Sequence, residues 1–160
     1  MLNIIPHYFG TKILNRIEPE ISHAIALCYL RLLNQFVKKR KISNPMLKTK
    51  ICGMEVPSPI GLAAGFDKNA EVFNATLSLG FGFVEVGTIT PDPQFGNPKP
   101  RLFKIPEEEA LINRMGFNNK GMLYVSKIAG KPKLGVVGVN IGANAKSVNK
   151  ILDYTNIFEF

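Results

Sequence analysis

Amides, hydroxyls and one lysine gather where short apolar runs of this sequence end. The stretch GLAAGFDKN, residues 61–69, brings Lys68 and Asn69 directly after Gly61, Ala63, Ala64 and Gly65, which have almost no side-chain bulk. The run from Phe83 ends in Thr88 and Thr90, and the run from Leu134 to Gly142 carries Asn140 and is followed by Asn144. Asn113, Arg114, Asn118 and Asn119 stand between these last two runs. Taken singly, each has a structural explanation. Asp67 suits a helix cap, Thr88 a strand, Asn140 a turn, and Arg114 an ion pair. Converging on one face, they would make a neutral-to-cationic site for a polar heterocycle or phosphate, where small residues let backbone approach a flat ligand. No acid–base pair, nucleophile elbow or metal-ligand cluster accompanies them. The two histidines, His7 and His23, fall in the N-terminal segment, which places them away from the strand ends. Binding groups without a proton-moving group point to a cofactor that carries the chemistry.

The elements that must position these residues follow from periodicity. Ile4, Ile5, Tyr8, Phe9, Ile13, Leu14 and Ile17 recur at helical spacing, and a second helix starts near Pro19, which a first turn tolerates. Its apolar face runs through Ile21, Ala24, Ile25, Leu27, Cys28, Leu32, Leu33 and Phe36. From Met46 the pattern turns to short strands. Lys48 to Met54 and Glu55 to Ile60 predict a hairpin about Gly53. Strand Gly61–Gly65 leads to a helix over 70–79, strand Phe83–Thr90 to a long connection over 91–116 and a helix over 118–129, and strand 134–142 follows. Continuous apolar strands in βα repetition predict a parallel sheet, as a (β/α)₈ barrel or an open doubly wound sheet. The absence of GxGxxG and P-loop signatures argues against a dinucleotide site, and the long connection suits a functional loop above a barrel mouth.

The 160 residues include 46% hydrophobic and 20% charged residues, which is the composition of a globular domain. The net charge of +8 admits anionic partners. The run Lys38, Lys39, Arg40, Lys41 either complements the dipole of the preceding helix or, with two amphipathic helices before it, suits an anionic bilayer surface. It lacks the interleaved aromatics of a nucleic-acid reader, so no nucleic-acid partner is expected. Cys28 and Cys52 have no metal-ligand spacing and read as buried thiols in a reducing compartment. No apolar stretch reaches the roughly 20 residues of a membrane span.

The segments GLAAGFDKNAE, GFGFVEVGTITPDPQFGNPKPRLF, INRMGFNNKG and GVNIGANAKS resemble, in order and spacing, the class 2, quinone-dependent dihydroorotate dehydrogenases, and PEISHA resembles their N-terminal helical extension. The NRMGF form is similar to bacterial members. The resemblance implies an FMN-holding (β/α)₈ barrel that oxidises dihydroorotate to orotate in pyrimidine biosynthesis and passes the electrons to a quinone. It implies flavin contacts from Ala64, Gly65, Phe66, Asp67, Lys68, Thr88 and Asn140. Orotate contacts would come from Lys68, Asn113, Arg114, Met115, Gly116 and Phe117, and the quinone passage from His23 and Lys104. Residues 1–45 would be a membrane- and quinone-associated extension, on the cytoplasmic face of a bacterial inner membrane, and 46–160 part of the flavin barrel.

Two positions depart from that pattern: Lys104 stands where the family usually has arginine, and Ala143 where it often has lysine. A (β/α)₈ barrel takes about 250 residues, so the expectation is a partial barrel of about three βα units. The family's serine base would fall beyond it, since Ser147 stands in a different motif, and no catalytic residue is assigned. The closing NIFEF differs from the family's continuing helix. The remaining half of the barrel as a separate chain is a candidate partner. The competing expectation is a non-catalytic remnant or split-gene half with only peripheral membrane association.

Overall fold

The structure is a computed structural model that describes residue 14 and residues 16–36, 44–130 and 133–160. The first expected helix lies outside these residues except for its end, and the Lys38–Lys41 cluster lies wholly outside them.

Helix α1 (Pro19–Asn34) begins where the sequence predicts. The Glu18 carboxylate accepts the Ile21 amide at 2.9 Å, Pro19 occupies the first turn, and Glu20 and Arg31 sit at the ends the helix dipole favours. A two-residue turn at Cys52 and Gly53, both with positive φ, joins β1 (Thr49–Ile51) to β2 (Met54–Val56). The chain then runs through β3 (Gly61–Leu62), α2 (Phe73–Ser78), β4 (Phe83–Ile89), the antiparallel pair β5 (Leu102–Ile105) and β6 (Ala110–Asn113), α3 (Met122–Ala129), β7 (Val136–Ile141) and α4 (Lys150–Glu159), which continues through NIFE.

Strands β3, β4 and β7 form one parallel sheet in that order. Val84, Val86 and Ile89 of β4 bury against Ala70, Phe73 and Val125, with Leu62, Leu77 and Ile128 around them. This core sits between the sheet and α2 and α3. A second cluster joins Leu30 of α1 to Val72 and Ala75, flanked by Leu27, Leu33 and Phe66. The opposite face of α1 exposes Ile21, Ile25, Tyr29 and Leu32, and Phe36 is exposed just past its end.

Several expectations are corrected. Strand β3 stops at Leu62, and α2 starts at Phe73 because Ala70 adopts φ 58°, outside a helix. Helix α3 starts at Met122 after Gly121 at φ 79°. The long connection holds the β5–β6 hairpin. Both cysteines are exposed, Cys28 among the outward residues of α1 and Cys52 at the hairpin tip.

Candidate active site

The backbone after β3 curls beside the end of β4. Gly65 N–H donates to Gly87 O at 2.8 Å and Gly87 N–H to Asp67 O at 3.0 Å, so residues 65–67 extend the sheet edge without regular strand geometry. Gly65 has φ 106°, and a Cβ placed there meets nothing within 4 Å: bare backbone faces open space. Gly87 is constrained in the opposite way. At φ 112° its added Cβ would lie 2.4 Å from Asn140 O on β7. That close approach brings Thr88 Oγ1 to donate to Asn140 Oδ1 at 2.6 Å, while Asn140 Nδ2 donates to Glu85 Oε1 at 3.3 Å.

Asp67 shapes this loop. It is 1% exposed, and its two carboxylate oxygens accept the amides of Glu71 and Val72, each at 2.8 Å. Burial pushes its carboxyl above the ordinary range against the pull of those amides. Lys68 turns back so that Nζ donates to Gly65 O. Burial lowers its pKa, helped by the positive Arg101, with Glu20 and Asp67 opposing.

The expected orotate segment follows β6. Asn113 is exposed at the end of that strand, opposite Leu102. Arg114 N–H donates to Arg101 O at 2.9 Å, and its guanidinium caps Pro100 O at 2.9 and 3.3 Å rather than pairing with an acid. Met115 O accepts Asn97 N–H at 3.0 Å, and Gln94 Nε2 donates to the carbonyls of Gly116 and Phe117 at 3.1 and 3.2 Å. Phe117, at φ 51°, leaves its ring exposed. Thr90, Asn119 and Asn144 act as staples. The Asn119 amide donates to Thr90 Oγ1 and Phe117 O and accepts from Gly121 N–H, and Asn144 binds Asp92 and Gln94. Asn118 Oδ1 is a buried oxygen without a hydrogen-bond partner among the described residues.

The N-terminal helix reaches this mouth. His23, expected away from the strand ends, has Nε2 2.7 Å from Phe66 O, and its ring meets the Phe66 ring edge-on at 5.3 Å. A carbonyl only accepts, so Nε2 carries hydrogen. Burial lowers the His23 pKa, as does Lys68, against the Phe66 carbonyl. Lys104 Nζ donates to Ile17 O at 3.0 Å, which brings the second proposed passage residue to the start of α1.

Two acid-centred joints escaped the sequence reading. Glu20 of α1 pairs with Arg101 and Lys99. Burial would raise its carboxyl, but these two cations bring it below the ordinary value. Glu71 accepts from Arg31 of α1, from Lys120 Nζ at 2.8 Å and from Tyr124 Oη at 2.8 Å, and the Lys120 amide donates to Asn69 Oδ1 at 2.9 Å. Burial opposes ionisation of Glu71 too, and the three donors outweigh it. Only the apolar context of α1 and the acid inside GFDKNAE hinted at either joint.

Parallel βα units with polar groups gathered at the strand C-termini define the N-terminal part of a (β/α)₈-barrel protein. The family model for dihydroorotate dehydrogenase matches residues 46–159, and the chain belongs to that family. It is 49% identical over 147 residues to a dihydroorotate dehydrogenase (quinone) of Mesorhizobium japonicum, covering 91% of this chain and 41% of the relative. A Bartonella henselae protein of the same name is 50% identical over 147 residues, covering 91% and 40%. Crystal structures of DHODH from Eimeria tenella are similar in fold at 39% identity. The ferulenol complex has a TM-score of 0.76 and covers 87% of this chain and 39% of that one; the ligand-free form has a TM-score of 0.77 and covers 88% and 41%. The chain thus spans about two-fifths of the length of these relatives.

Proposed function

We propose that the chain is the N-terminal part of a quinone-dependent dihydroorotate dehydrogenase, an FMN enzyme of pyrimidine biosynthesis. The observation that carries this reading is the open, bulk-free backbone at Gly65 beside the Lys68 amine, with Thr88 and Asn140 across the mouth. This set fits a flat, polar ring system: backbone to lie against, a cation at its edge and an amide–hydroxyl pair for its heteroatoms. FMN, when bound, supplies the hydride-accepting centre. Ala64, Gly65 and Phe66 line its edge through their backbone, and Asp67 holds their loop. Lys68 keeps two further N–H donors for flavin and pyrimidine carbonyls. Asn113 to Phe117 would orient dihydroorotate, with Asn113 donating through its amide.

In this reading residues 1–45 are the helical extension and 46–160 the flavin part. His23 and Lys104 border the quinone passage. The outward stripe of α1 rests on an anionic membrane surface, on the cytoplasmic face of a bacterial inner membrane. Among the described residues no helix is long and apolar enough to cross a membrane, so contact through α1 would be peripheral.

The test joins residues 1–160 to the remaining barrel units of the Mesorhizobium relative. Stoichiometric flavin that bleaches on adding dihydroorotate and recovers with a quinone analogue is expected. Residues 1–160 alone, with the outer edges of β3 and β7 unpaired among the described residues, are expected to hold FMN weakly and show no turnover. A completed barrel that takes up no flavin would overturn the proposal.

A further inference from the structure

We propose that Glu20 of α1 is a positioning residue for the substrate segment, holding Asn113 to Phe117 in place through Arg101. The inference rests on the functional reading above, which puts orotate at that segment.

The links form a continuous polar path. Glu20 and Arg101 have side chains only 12% and 9% exposed, and the Arg101 Nε donates to the Glu20 carboxylate. Arg101 Nη1 then donates to Phe95 O at 2.7 Å and to Asn97 O at 3.0 Å. Asn97 in turn grips the substrate segment twice, through its amide N–H to Met115 O at 3.0 Å and its Nδ2 to Arg114 O at 2.7 Å. The Arg101 carbonyl adds a third hold, accepting Arg114 N–H at 2.9 Å. Gly96 allows the layers to meet: at φ 76°, a Cβ there would lie 2.1 Å from Met115 O and 2.9 Å from Arg101 Nη1.

A purely adhesive role for the pair is a poorer account. Helix α1 is already held by Leu30 packed on Val72 and Ala75. A nearly buried ion pair adds little net stability after desolvation, whereas its geometry fixes which way a planar guanidinium faces. Without the carboxylate, Arg101 has no anionic partner at Nε, and its plane is free to turn away from the two loop carbonyls.

Hydrogen exchange on the full chain reads this directly. In Glu20→Gln the amides of Asn97 and Arg114 are expected to exchange at least about tenfold faster, the loss of one charge-assisted bond, with Gly65 and the β4 amides unchanged. Arg101→Lys, which keeps the charge pair but loses the fork, should give the same local pattern with Glu20 intact. Unchanged exchange at Asn97 and Arg114, or equal acceleration throughout the sheet, would overturn the role. In the completed, flavin-loaded barrel, Glu20→Gln should weaken orotate binding about tenfold by flavin absorbance, with flavin content stoichiometric; an unaltered orotate affinity would sink the inference. If the unsubstituted completed barrel gave no orotate signal, the functional reading itself would fall, whatever the exchange data gave.

Discussion

Replacing Asp67 with alanine tests whether one carboxylate builds the loop that follows β3. Both of its oxygens are committed to backbone amides, at 2.8 Å to Glu71 and 2.8 Å to Val72. The Val72 amide belongs to a residue with no exposed surface, so without Asp67 it has no water to turn to, a loss of about 2 kcal/mol. The Glu71 amide is half-buried and partly recovers through solvent, adding about 1 kcal/mol. The sum, about 3 kcal/mol, corresponds to a fall of roughly 6–12 °C in the unfolding midpoint of a chain this size. Asp67→Asn keeps one acceptor and turns a donor toward the other amide, so about 2 kcal/mol is expected. Thermal unfolding followed by far-UV circular dichroism measures both. If Asp67→Ala melts within about 1 °C of the parent, the loop does not depend on this cap.

His23 gives a pH signature. Its pKa is lowered in the fold from 6.5, so the unfolded chain binds its proton first, and stability complete above that value declines as pH falls below it. Urea midpoints at pH 7.5 and 5.5 should differ less in His23→Gln. Glu20 and Glu71, whose pKa values are lowered from 4.5, lose their contribution only at lower pH, so an unchanged slope would remove His23 from the account. Gly87→Ala places a methyl 2.4 Å from Asn140 O at a φ that side chains avoid, and a loss of at least about 3 kcal/mol is expected; a midpoint near the parent's would refute the close approach. Charging the outer face of α1 with Ile25→Glu and Leu32→Glu should abolish flotation with phosphatidylglycerol vesicles, and neutralising Lys38 to Lys41 should make the remaining binding insensitive to salt. Retained flotation in the double variant would exclude α1 as the contact.

The sheet was legible because β4 and β7 are mostly apolar runs, interrupted only by Glu85, Thr88 and Asn140, and the hairpin because Gly53 punctuates it. Helix starts were misjudged where a single residue takes a positive φ, at Ala70 and Gly121, since periodicity carries no information about one backbone angle. Lys68, Thr88 and Asn140 stood out as polar groups closing apolar runs, and the structure places the last two in contact. Glu20 and Arg101 lie 81 positions apart, and neither has a local spacing to mark it. His23 was misplaced for the same reason: its partner at Phe66 belongs to another element. The cysteines were expected inside because cysteine usually is, but an apolar stripe turned outward took Cys28 with it.

Helix α1 thus has two faces that answer to different demands. Glu20, His23, Leu27, Leu30 and Arg31 bind the barrel, while Ile21, Ile25, Tyr29 and Leu32 turn outward, each at least 46% exposed. The two sets interleave along one helix yet share no residue, so the outer one can be rewritten in polar residues without disturbing the inner. Solubility and site geometry are therefore independent variables in this segment, and a water-adapted version needs a repainted helix rather than a deleted one.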